Sequence, residues 1–270
     1  SGDAHGTGMA AGGVPMLDLE DVRVRFGGIA ALDGVSLSVA PGEVCGLIGA
    51  NGAGKTTLFD VVSGLRLPDA GRITLAGRDI SRWSSHRRAR AGLRRTFQRV
   101  QVFGWLTIEE NLLVASEWEG GGGGVIADLV GSPTRRRREA ERRARAREVL
   151  ALCGIDDIRD RPAAGLPIGT ARIVELGRAL MGDPSLLLLD EPASGLDHAE
   201  AERFGDVVER TRQENGTAVL LVEHDVAFVL DRCDRIVVLH LGRVLAEGTP
   251  DVIRADPAVR DAYLGTGAAT

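Results

Sequence analysis

The segment Gly49-Ala50-Asn51-Gly52-Ala53-Gly54-Lys55-Thr56 follows the spacing GxxxxGK-Ser/Thr and decides the fold prediction for this chain. Its glycines let consecutive backbone N–H groups point toward one centre and bind phosphate oxygens, helped by the positive end of the helix that follows. In this pattern Lys55 reaches the β- and γ-phosphates of a nucleotide, and the Thr56 hydroxyl is a ligand for Mg²⁺. A glycine-rich turn with an incidental lysine is the alternative interpretation.

The residues on both sides of this segment supply the strand and the helix that a phosphate-binding loop requires. Val44–Ile48 is a continuous apolar run that predicts a buried strand, and residues 56–62 favour a helix. Upstream, Leu17–Phe26 alternates apolar and polar residues with a phase slip near Glu20, which predicts a half-buried strand with a bulge. Residues 35–39 repeat the alternation before a Pro-Gly turn.

The rest of the chain alternates between strand and helix patterns. Residues 72–76 favour a strand, whereas the following arginine-rich sequence favours helices and is interrupted by a glycine run at 120–124. Strand patterns return at residues 186–189, 217–222 and 235–240. This alternation predicts an α/β fold with a mostly parallel core sheet, into which a helical subdomain of approximately residues 85–181 is inserted.

Four leucines at residues 186–189 lead directly into Asp190 and Glu191. A buried strand that ends in a carboxylate is how phosphate-loop proteins hold Mg²⁺, and Asp190 occupies that place. Glu191, one residue further, is placed to act as the general base that activates the attacking water. A solvated strand end is the alternative for two such acids alone, but the phosphate-binding segment about 135 residues earlier favours an ATP-hydrolysing site.

Four further motifs come in the order expected of an ABC transporter ATP-binding subunit, and the chain resembles that family from about residue 17 to 265. Arg95-Thr96-Phe97-Gln98 is similar to its Q-loop, and Leu166-Pro167-Ile168-Gly169-Thr170 is similar to its signature. Ser194-Gly195-Leu196-Asp197 is similar to its D-loop, and Glu223-His224-Asp225 contains its switch histidine. The resemblance implies a P-loop NTPase fold of the ABC ATPase type, with an N-terminal antiparallel β subdomain. We expect one ATP-binding domain at residues 16–270, after a Gly- and Ala-rich flexible leader at residues 1–15.

The resemblance also implies roles for individual residues, with ATP and Mg²⁺ as cofactors. Gln98 would sense the γ-phosphate and Mg²⁺, and His224 would bind the γ-phosphate and help Glu191 to position the water. The implied metal ligands are Thr56, Gln98 and Asp190. Phe26 would stack on adenine, although a core position that closes the first strand is an equal alternative. The implied nucleotide contacts are Phe26, Gly49, Asn51, Gly52, Ala53, Gly54, Lys55, Thr56, Thr57, Gly169, Thr170 and Asp197.

The signature segment departs from the family's common LSGGQ pattern because Pro167 replaces the serine. The serine hydroxyl and a backbone N–H are therefore both missing. Gly169 and Thr170 remain at the start of a predicted helix, whose N-terminus can still bind the γ-phosphate of ATP held by a second subunit. Since each ATP site of the family combines one subunit's phosphate loop with another's signature, the resemblance implies a homodimer or heterodimer.

Three local features resemble the ATP-binding (G-type) subunit of branched-chain amino-acid importers: Arg25-Phe26-Gly27-Gly28, an insertion at residues 117–147 and a tail at residues 247–265. The resemblance implies integral membrane permease subunits as partners and, indirectly, an extracytoplasmic solute-binding protein. It places the chain peripherally at the cytoplasmic face of the plasma (inner) membrane. A lipopolysaccharide-type exporter ATPase is the nearest alternative. A soluble ABC ATPase of translation or DNA repair is less favoured, because such chains carry tandem units or a long coiled coil.

The charge and composition of the chain narrow the classes of partner that it is expected to bind. The net charge of −5 argues against a nucleic-acid partner, for which a basic excess is usual. The arginines of residues 135–147 are compatible with binding to nucleic acid or lipid headgroups, but pairing of Glu139 with Arg143 and of Glu141 with Arg145 favours a solvated helix. Three cysteines without paired spacing indicate reduced thiols. No apolar run approaches the roughly 18 residues that a membrane span needs.

Overall fold

The computed structural model of the chain describes residues 13–96, 101–116 and 133–261. The strands in these ranges are β1 (Leu17–Phe26), β2 (Ile29–Val39), β3 (Val44–Ile48), β4 (Ala70–Leu75), β5 (Arg78–Asp79), β6 (Leu93–Arg95), β7 (Leu186–Asp190), β8 (Ala218–Val222), β9 (Arg235–His240) and β10 (Arg243–Gly248). The helices are α1 (Lys55–Ser63), α2 (Ser85–Arg90), α3 (Ile108–Ser116), α4 (Pro133–Cys153), α5 (Ile168–Leu180), α6 (His198–Asn215), α7 (Val226–Arg232), α8 (Pro250–Ala255) and α9 (Pro257–Val259). Together they confirm the α/β architecture expected from the alternation of strand and helix patterns.

The N-terminal strands form an antiparallel sheet in the order β2-β1-β4-β5. The apolar members of the β1 alternation from Leu17 to Val24 are buried, because successive side chains of a strand point to opposite faces. Phe26, the last residue of the strand, is exposed. The register of β1 shifts between Leu19 and Val22, where Asp21 has a φ of 47°. This irregularity confirms the bulge that the phase slip in the sequence predicts.

The larger sheet has the order β10-β9-β3-β8-β7-β6, and its strands are parallel except for the antiparallel β10. Every residue of β3 and β8 is buried, as expected for central parallel strands with both faces covered. In such sheets the loops after the strands meet at one edge, which is where ligands bind. The loops after β3, β7 and β8 carry the phosphate-binding segment, Glu191 and His224, so the topology brings these distant segments together.

One strand of this sheet lies inside the segment predicted to be helical. The strand β6 is only three residues long and pairs in parallel with β7, with Arg95 opposite Leu188. Two of its residues are arginines, so neither alternation nor an apolar run marks it in the sequence, and pairing with β7 decides its conformation. The strand β10, at the other edge of the sheet, was likewise not predicted. The division into a core and a helical subdomain at approximately residues 85–181 stays a prediction.

Three helices, α3, α4 and α5, pack around a buried apolar cluster that includes Leu112, Val149 and Val174. On the outer side of α4, Arg143 donates to Glu139 at 2.9 Å, as expected. Glu141 accepts instead from Arg137 at 2.9 Å, while Arg145 pairs with other acidic residues, so the predicted pairing of Glu141 with Arg145 is wrong. None of the helices in the described ranges combines the length and the apolar character needed to cross a membrane.

The three cysteines are buried, free thiols. Burial raises the pKa of Cys45 and Cys153 to about 12, so both thiols stay protonated at neutral pH. The thiolate is the reactive form of cysteine, and these side chains therefore behave as small apolar core residues. This agrees with the expectation of unpaired, reduced thiols.

Arg88 in α2 is fully buried, and its guanidinium ties α2 to the end of α1. It donates to the carbonyl groups of Val61 at 2.5 Å and Val62 at 2.9 Å, near the end of α1, and also to those of Ser81 and Trp83. Burial lowers the pKa of Arg88 to about 10, which leaves the group charged at neutral pH. The positive charge lies at the C-terminal end of α1, where the helix dipole favours it. The guanidinium also donates hydrogen bonds to carbonyl groups that have no partner within the helix.

We expect Arg88→Ala to lower the free energy of unfolding by about 3 kcal/mol, because it leaves buried carbonyl groups without donors. Urea unfolding followed by circular dichroism measures the change. Arg87→Ala is the matched control, since this neighbour is exposed and stacks on Trp83 at 3.9 Å. Its loss should lower the free energy by at most about 1 kcal/mol. Equal effects of the two substitutions would contradict the role assigned to Arg88.

Candidate active site

The phosphate-binding segment forms a loop between β3 and α1 whose shape depends on its glycines. Gly52 and Gly54 have φ angles of 80° and 108°, which glycine adopts without the steric conflict of a side chain. A Cβ atom at Gly54 would lie 2.5 Å from the carbonyl oxygen of Ala31, and one at Gly49 would collide with the carbonyl of Leu239. These positions therefore admit glycine alone, and the loop keeps its backbone close to the neighbouring chain.

Lys55 begins α1 and is the single lysine of the chain. Its side chain is buried, and Nζ donates to the carbonyl oxygens of Gly49 at 2.6 Å and Ala50 at 3.1 Å. Burial lowers the pKa of the Lys55 ammonium group, and the carboxylates of Glu191 and Asp190 act against that shift. The ammonium group thus lies between the loop predicted to hold phosphates and the two predicted acidic site residues.

The other predicted contacts in and after the loop differ in exposure. Asn51 and Thr56 are exposed, whereas Ala53 is buried and Thr57 is half-buried. The Ala53 N–H donates to the Ala50 carbonyl at 3.1 Å, so in this conformation it is used within the loop. The exposed Thr56 hydroxyl, in the first turn of α1, is accessible to a nucleotide and its metal.

Asp190 ends β7 and is held by Arg95, a residue to which the family resemblance assigns no role. Arg95 ends the neighbouring strand β6, and its guanidinium donates to Asp190 Oδ2 at 2.8 Å and to Asp60 Oδ1 of α1 at 2.7 Å. The arginine side chain is 8% exposed, so salt screens these ion pairs little. Arg95 is the first residue of the Q-loop motif, and that position is the only sign of its importance in the sequence.

Glu191 and His224 are in direct contact at the edge of the sheet. Nε2 of His224 lies 3.0 Å from Oε1 of Glu191. Glu191 has a φ of 49°, which is uncommon for a residue with a side chain, and its N–H donates to the Val222 carbonyl at 2.9 Å. Backbone strain of this kind is concentrated at active sites and persists where surrounding contacts hold it. The structure therefore brings the predicted base and the predicted switch histidine together.

The signature and D-loop residues form a second group, joined by Glu200. The N–H of Gly169, at the start of α5, donates to Glu200 Oε1 at 3.2 Å. Glu200 also accepts from the Asp197 N–H at 3.3 Å, and the Asp197 side chain accepts from the Glu200 N–H at 2.8 Å, which forms a capping box on α6. The helix N-terminus predicted to bind phosphate is thus occupied by a carboxylate of the same chain. Thr170 follows, half-buried, and Pro167 caps α5 without a side-chain hydrogen bond.

Two predicted residues remain, Phe26 and Gln98, of which the structure describes only Phe26. Phe26 is 50% exposed, so the alternative that it is a core residue is wrong. The Arg66 guanidinium lies 4.0 Å from the Phe26 ring centroid, and an adenine would stack on the other face or displace Arg66. Gln98, the predicted γ-phosphate sensor and metal ligand, lies outside the described residues.

Of the three predicted Mg²⁺ ligands, the structure describes Thr56 and Asp190. Their hydroxyl and carboxylate oxygens are the donors that Mg²⁺ prefers. Arg95 already donates to Oδ2 of Asp190, and the Asp190 carboxylate would help to hold a Mg²⁺ ion. In the part of the chain that the structure describes, no three His, Cys, Asp or Glu residues cluster as a dedicated metal site.

A phosphate loop on a parallel sheet, with an acidic pair at the end of β7 and a histidine after β8, defines an ATPase of the ABC type. Residues 32–194 match the family model described as ABC transporter, and the chain belongs to the ABC transporter ATP-binding family. Residues 243–269 match a second model, described as branched-chain amino acid ATP-binding cassette transporter. The fold prediction and the family resemblance are both confirmed.

Curated relatives resemble the chain over nearly its full length. It is 40% identical to the high-affinity branched-chain amino acid transport ATP-binding protein BraF of Pseudomonas aeruginosa, over 93% of this chain and 98% of BraF. The corresponding LivG of Escherichia coli is 38% identical with the same coverage. The lipopolysaccharide export system ATP-binding protein LptB of Haemophilus influenzae is 35% identical, over 93% of this chain and 97% of LptB.

Two solved structures share the fold. A nucleotide-free ATP-binding cassette from an ABC transporter superposes with a TM-score of 0.79 at 32% identity, over 92% of this chain and 98% of that one. The ADP conformation of an ABC transporter cassette superposes with a TM-score of 0.80 at 31% identity, over 93% of this chain and 99% of that one.

Proposed function

We propose that this chain is the ATP-hydrolysing motor subunit of a membrane ABC transporter that imports branched-chain or other hydrophobic amino acids. The observation that carries the ATPase part is the meeting of Lys55, Glu191 and His224 at one edge of the parallel sheet. The similarity to BraF and LivG supports the solute class, since both are named as branched-chain amino acid transport proteins. The match of residues 243–269 to the branched-chain amino acid model supports it independently of the ATP site.

In this proposal the phosphate loop and the N-terminus of α1 bind the triphosphate, and Lys55 exchanges loop carbonyls for phosphate oxygens. Glu191 accepts the proton of the attacking water, while His224, 3.0 Å from that carboxylate, orients the water and the γ-phosphate. Mg²⁺ held by Thr56, Asp190 and Gln98 would neutralise charge on the phosphate oxygens. Rate enhancement then comes mainly from positioning and from fixed charges around the phosphoryl group.

A second ATP-binding subunit completes each site in the proposed mechanism. The N–H of Gly169, which now donates to Glu200, would turn to the γ-phosphate bound by the partner. The Gly169 N–H cannot donate fully to a carboxylate and to a phosphate at the same time. Closure of the dimer therefore requires the hydrogen bond between Gly169 and Glu200 to break. Closure of the ATPase dimer would move the permeases from one conformational state to the other, and ATP hydrolysis would return them to the first state.

The proposed partners are integral membrane permeases at the cytoplasmic face of the inner membrane, with a solute-binding protein acting on the other side. Trp105 is a candidate permease contact, because its side chain is 81% exposed in the segment that follows the Q-loop motif. Its ring lies 5.7 Å from that of Phe103, which is itself covered by Arg178 at 4.9 Å. Exposed aromatic residues of this kind are enriched at protein interfaces.

Similarity to LptB supports a second candidate, the ATPase of a lipopolysaccharide-type exporter. The identity of 35% is lower than the 40% to BraF, and both alignments cover 93% of this chain. The proposed chemistry of ATP hydrolysis is the same for both candidates. Only the membrane partners and the solute separate them.

The test is capture of the full chain carrying Glu191→Gln, with ATP, from detergent-solubilised membranes of its source, followed by mass spectrometry. A strain without the gene is also assayed for uptake of radiolabelled leucine, with wild type and Glu191→Gln as complementing chains. We expect two permeases and a sister ATPase in the captured material, and uptake restored by the wild type alone. Exporter components with normal leucine uptake would favour the second candidate. Ribosomal or DNA-repair proteins without a permease would contradict transport.

A further inference from the structure

Glu223 lies one residue beyond the end of β8 and its side chain is almost fully buried, with 2% of the residue exposed. The strand β8 runs parallel to β7, with Val222 opposite Asp190. Glu223 therefore starts the loop that carries His224, next to the loop that carries Glu191. Burial of a carboxylate in such a place is unfavourable unless hydrogen bonds compensate for the lost water.

The carboxylate of Glu223 binds backbone groups from both of these loops. Its Oε1 accepts from the N–H of Ala193 at 2.5 Å, and its Oε2 accepts from the N–H of His224 at 3.1 Å. The Asp225 N–H also favours the ionised form of this carboxylate and so acts to lower its pKa. Ala193 follows Glu191 by two residues and leads into the D-loop motif. One buried side chain thus holds together the backbone that carries the proposed base and the backbone that carries the histidine.

Two opposing effects act on this carboxylate. Burial raises the pKa of Glu223, while the N–H groups of Ala193, His224 and Asp225 act against that rise by favouring the ionised form. An ionised carboxylate accepts at both oxygens at once, which an amide cannot do because its NH₂ group is a donor. The arrangement therefore depends on a carboxylate at this position more than on the volume of the side chain.

We propose that Glu223 is a positioning residue for ATP hydrolysis: it fixes His224 opposite Glu191 by binding the backbone of both loops. The inference rests on the proposed ATPase function. Glu223 does not touch the reacting atoms; it acts through His224, whose Nε2 lies 3.0 Å from Oε1 of Glu191. Misplacement of a catalytic group by about 1 Å can lower a rate about 100-fold. Loss of the two-loop contact should therefore affect turnover more than nucleotide affinity.

The experiment measures ATP hydrolysis and fluorescent-ATP binding for the full chain with Glu223→Gln, Glu223→Asp and His224→Ala, and for Glu223→Gln combined with His224→Ala. We expect Glu223→Gln to lower kcat about 10- to 100-fold with the Kd for ATP unchanged within about twofold. Glu223→Asp keeps the charge and should recover part of the rate. The double variant should be no slower than His224→Ala, because a residue that acts through His224 has no effect once the imidazole is absent.

Val149→Ala is the control for reduced stability, because Val149 is fully buried in α4, away from both loops. It should unfold more easily, yet keep the wild-type kcat for ATP hydrolysis. An unchanged kcat in Glu223→Gln would overturn the inference. A double variant whose loss of kcat equals the product of the losses in Glu223→Gln and His224→Ala would also overturn it. Failure of both Glu223 variants to fold would assign Glu223 a purely structural role and overturn it as well. A wild-type chain without ATPase activity would instead overturn the proposed function.

Discussion

Glu191→Gln is expected to leave ATP binding intact and to lower the rate of hydrolysis by about 10²–10⁴-fold, the range typical of losing a general base. Glutamine keeps the size of the side chain and a hydrogen-bonding oxygen for His224, but its amide cannot accept a proton from water. The backbone of residue 191 should keep its contact with the Val222 carbonyl, which is 2.9 Å long in the wild type. Phosphate release in steady state and fluorescent-ATP titration together measure the two effects.

Glu214→Gln is the control for this substitution, since Glu214 is exposed near the far end of α6. It removes one negative charge from the chain without touching the edge of the sheet, and its ATPase rate should match that of the wild type. Substantial ATPase activity in Glu191→Gln would remove Glu191 from the role of base. Another group near His224 would then have to take the proton.

Lys55→Met is expected to weaken ATP binding about 10- to 100-fold, because a hydrogen bond between charged groups contributes about 1.5–3 kcal/mol. Methionine keeps most of the length of the side chain and remains compatible with burial, so the phosphate loop keeps its packing. The variant loses the ammonium group that donates to Gly49 and Ala50 in this structure and would bind phosphates in the complex. Isothermal titration with a non-hydrolysable ATP analogue measures the affinity.

The single lysine allows a second readout on the unmodified chain. A lysine-selective acylating reagent should modify the buried Lys55 slowly in the absence of nucleotide, and bound ATP should slow the reaction further, as mapped by peptide mass spectrometry. Arg78→Met, which removes a charge at the exposed strand β5, is the matched control for the titration and should bind ATP normally. Equal affinities of Lys55→Met and the wild type, or labelling that ATP does not change, would contradict the assignment.

The sequence alone determined the parts of the protein that depend on short-range chemistry. The glycine spacing and Lys55 identify the phosphate loop, because only glycine accepts the φ angles and the close approach found at Gly54. Apolar runs and alternation identify β1, β3 and β7, because burial of one or both faces imposes those periods. The order of the motifs was enough to identify the family, and the acidic pair Asp190-Glu191 is visible in the sequence as the end of a leucine run.

The tertiary structure decided the contacts between segments that lie far apart in the chain. Arg95 meets Asp190 across 95 positions, and His224 meets Glu191 across 33, only because β6, β7 and β8 are adjacent in the sheet. The short strand β6 has no local pattern of its own, since pairing with β7 supplies its stability. The sequence does not reveal the position of Glu223 either, because a glutamate is usually exposed to solvent. The fold buries its side chain against the N–H groups of two loops. Local periodicity thus determined which elements form, whereas the parallel pairing of distant strands decided which side chains share the site.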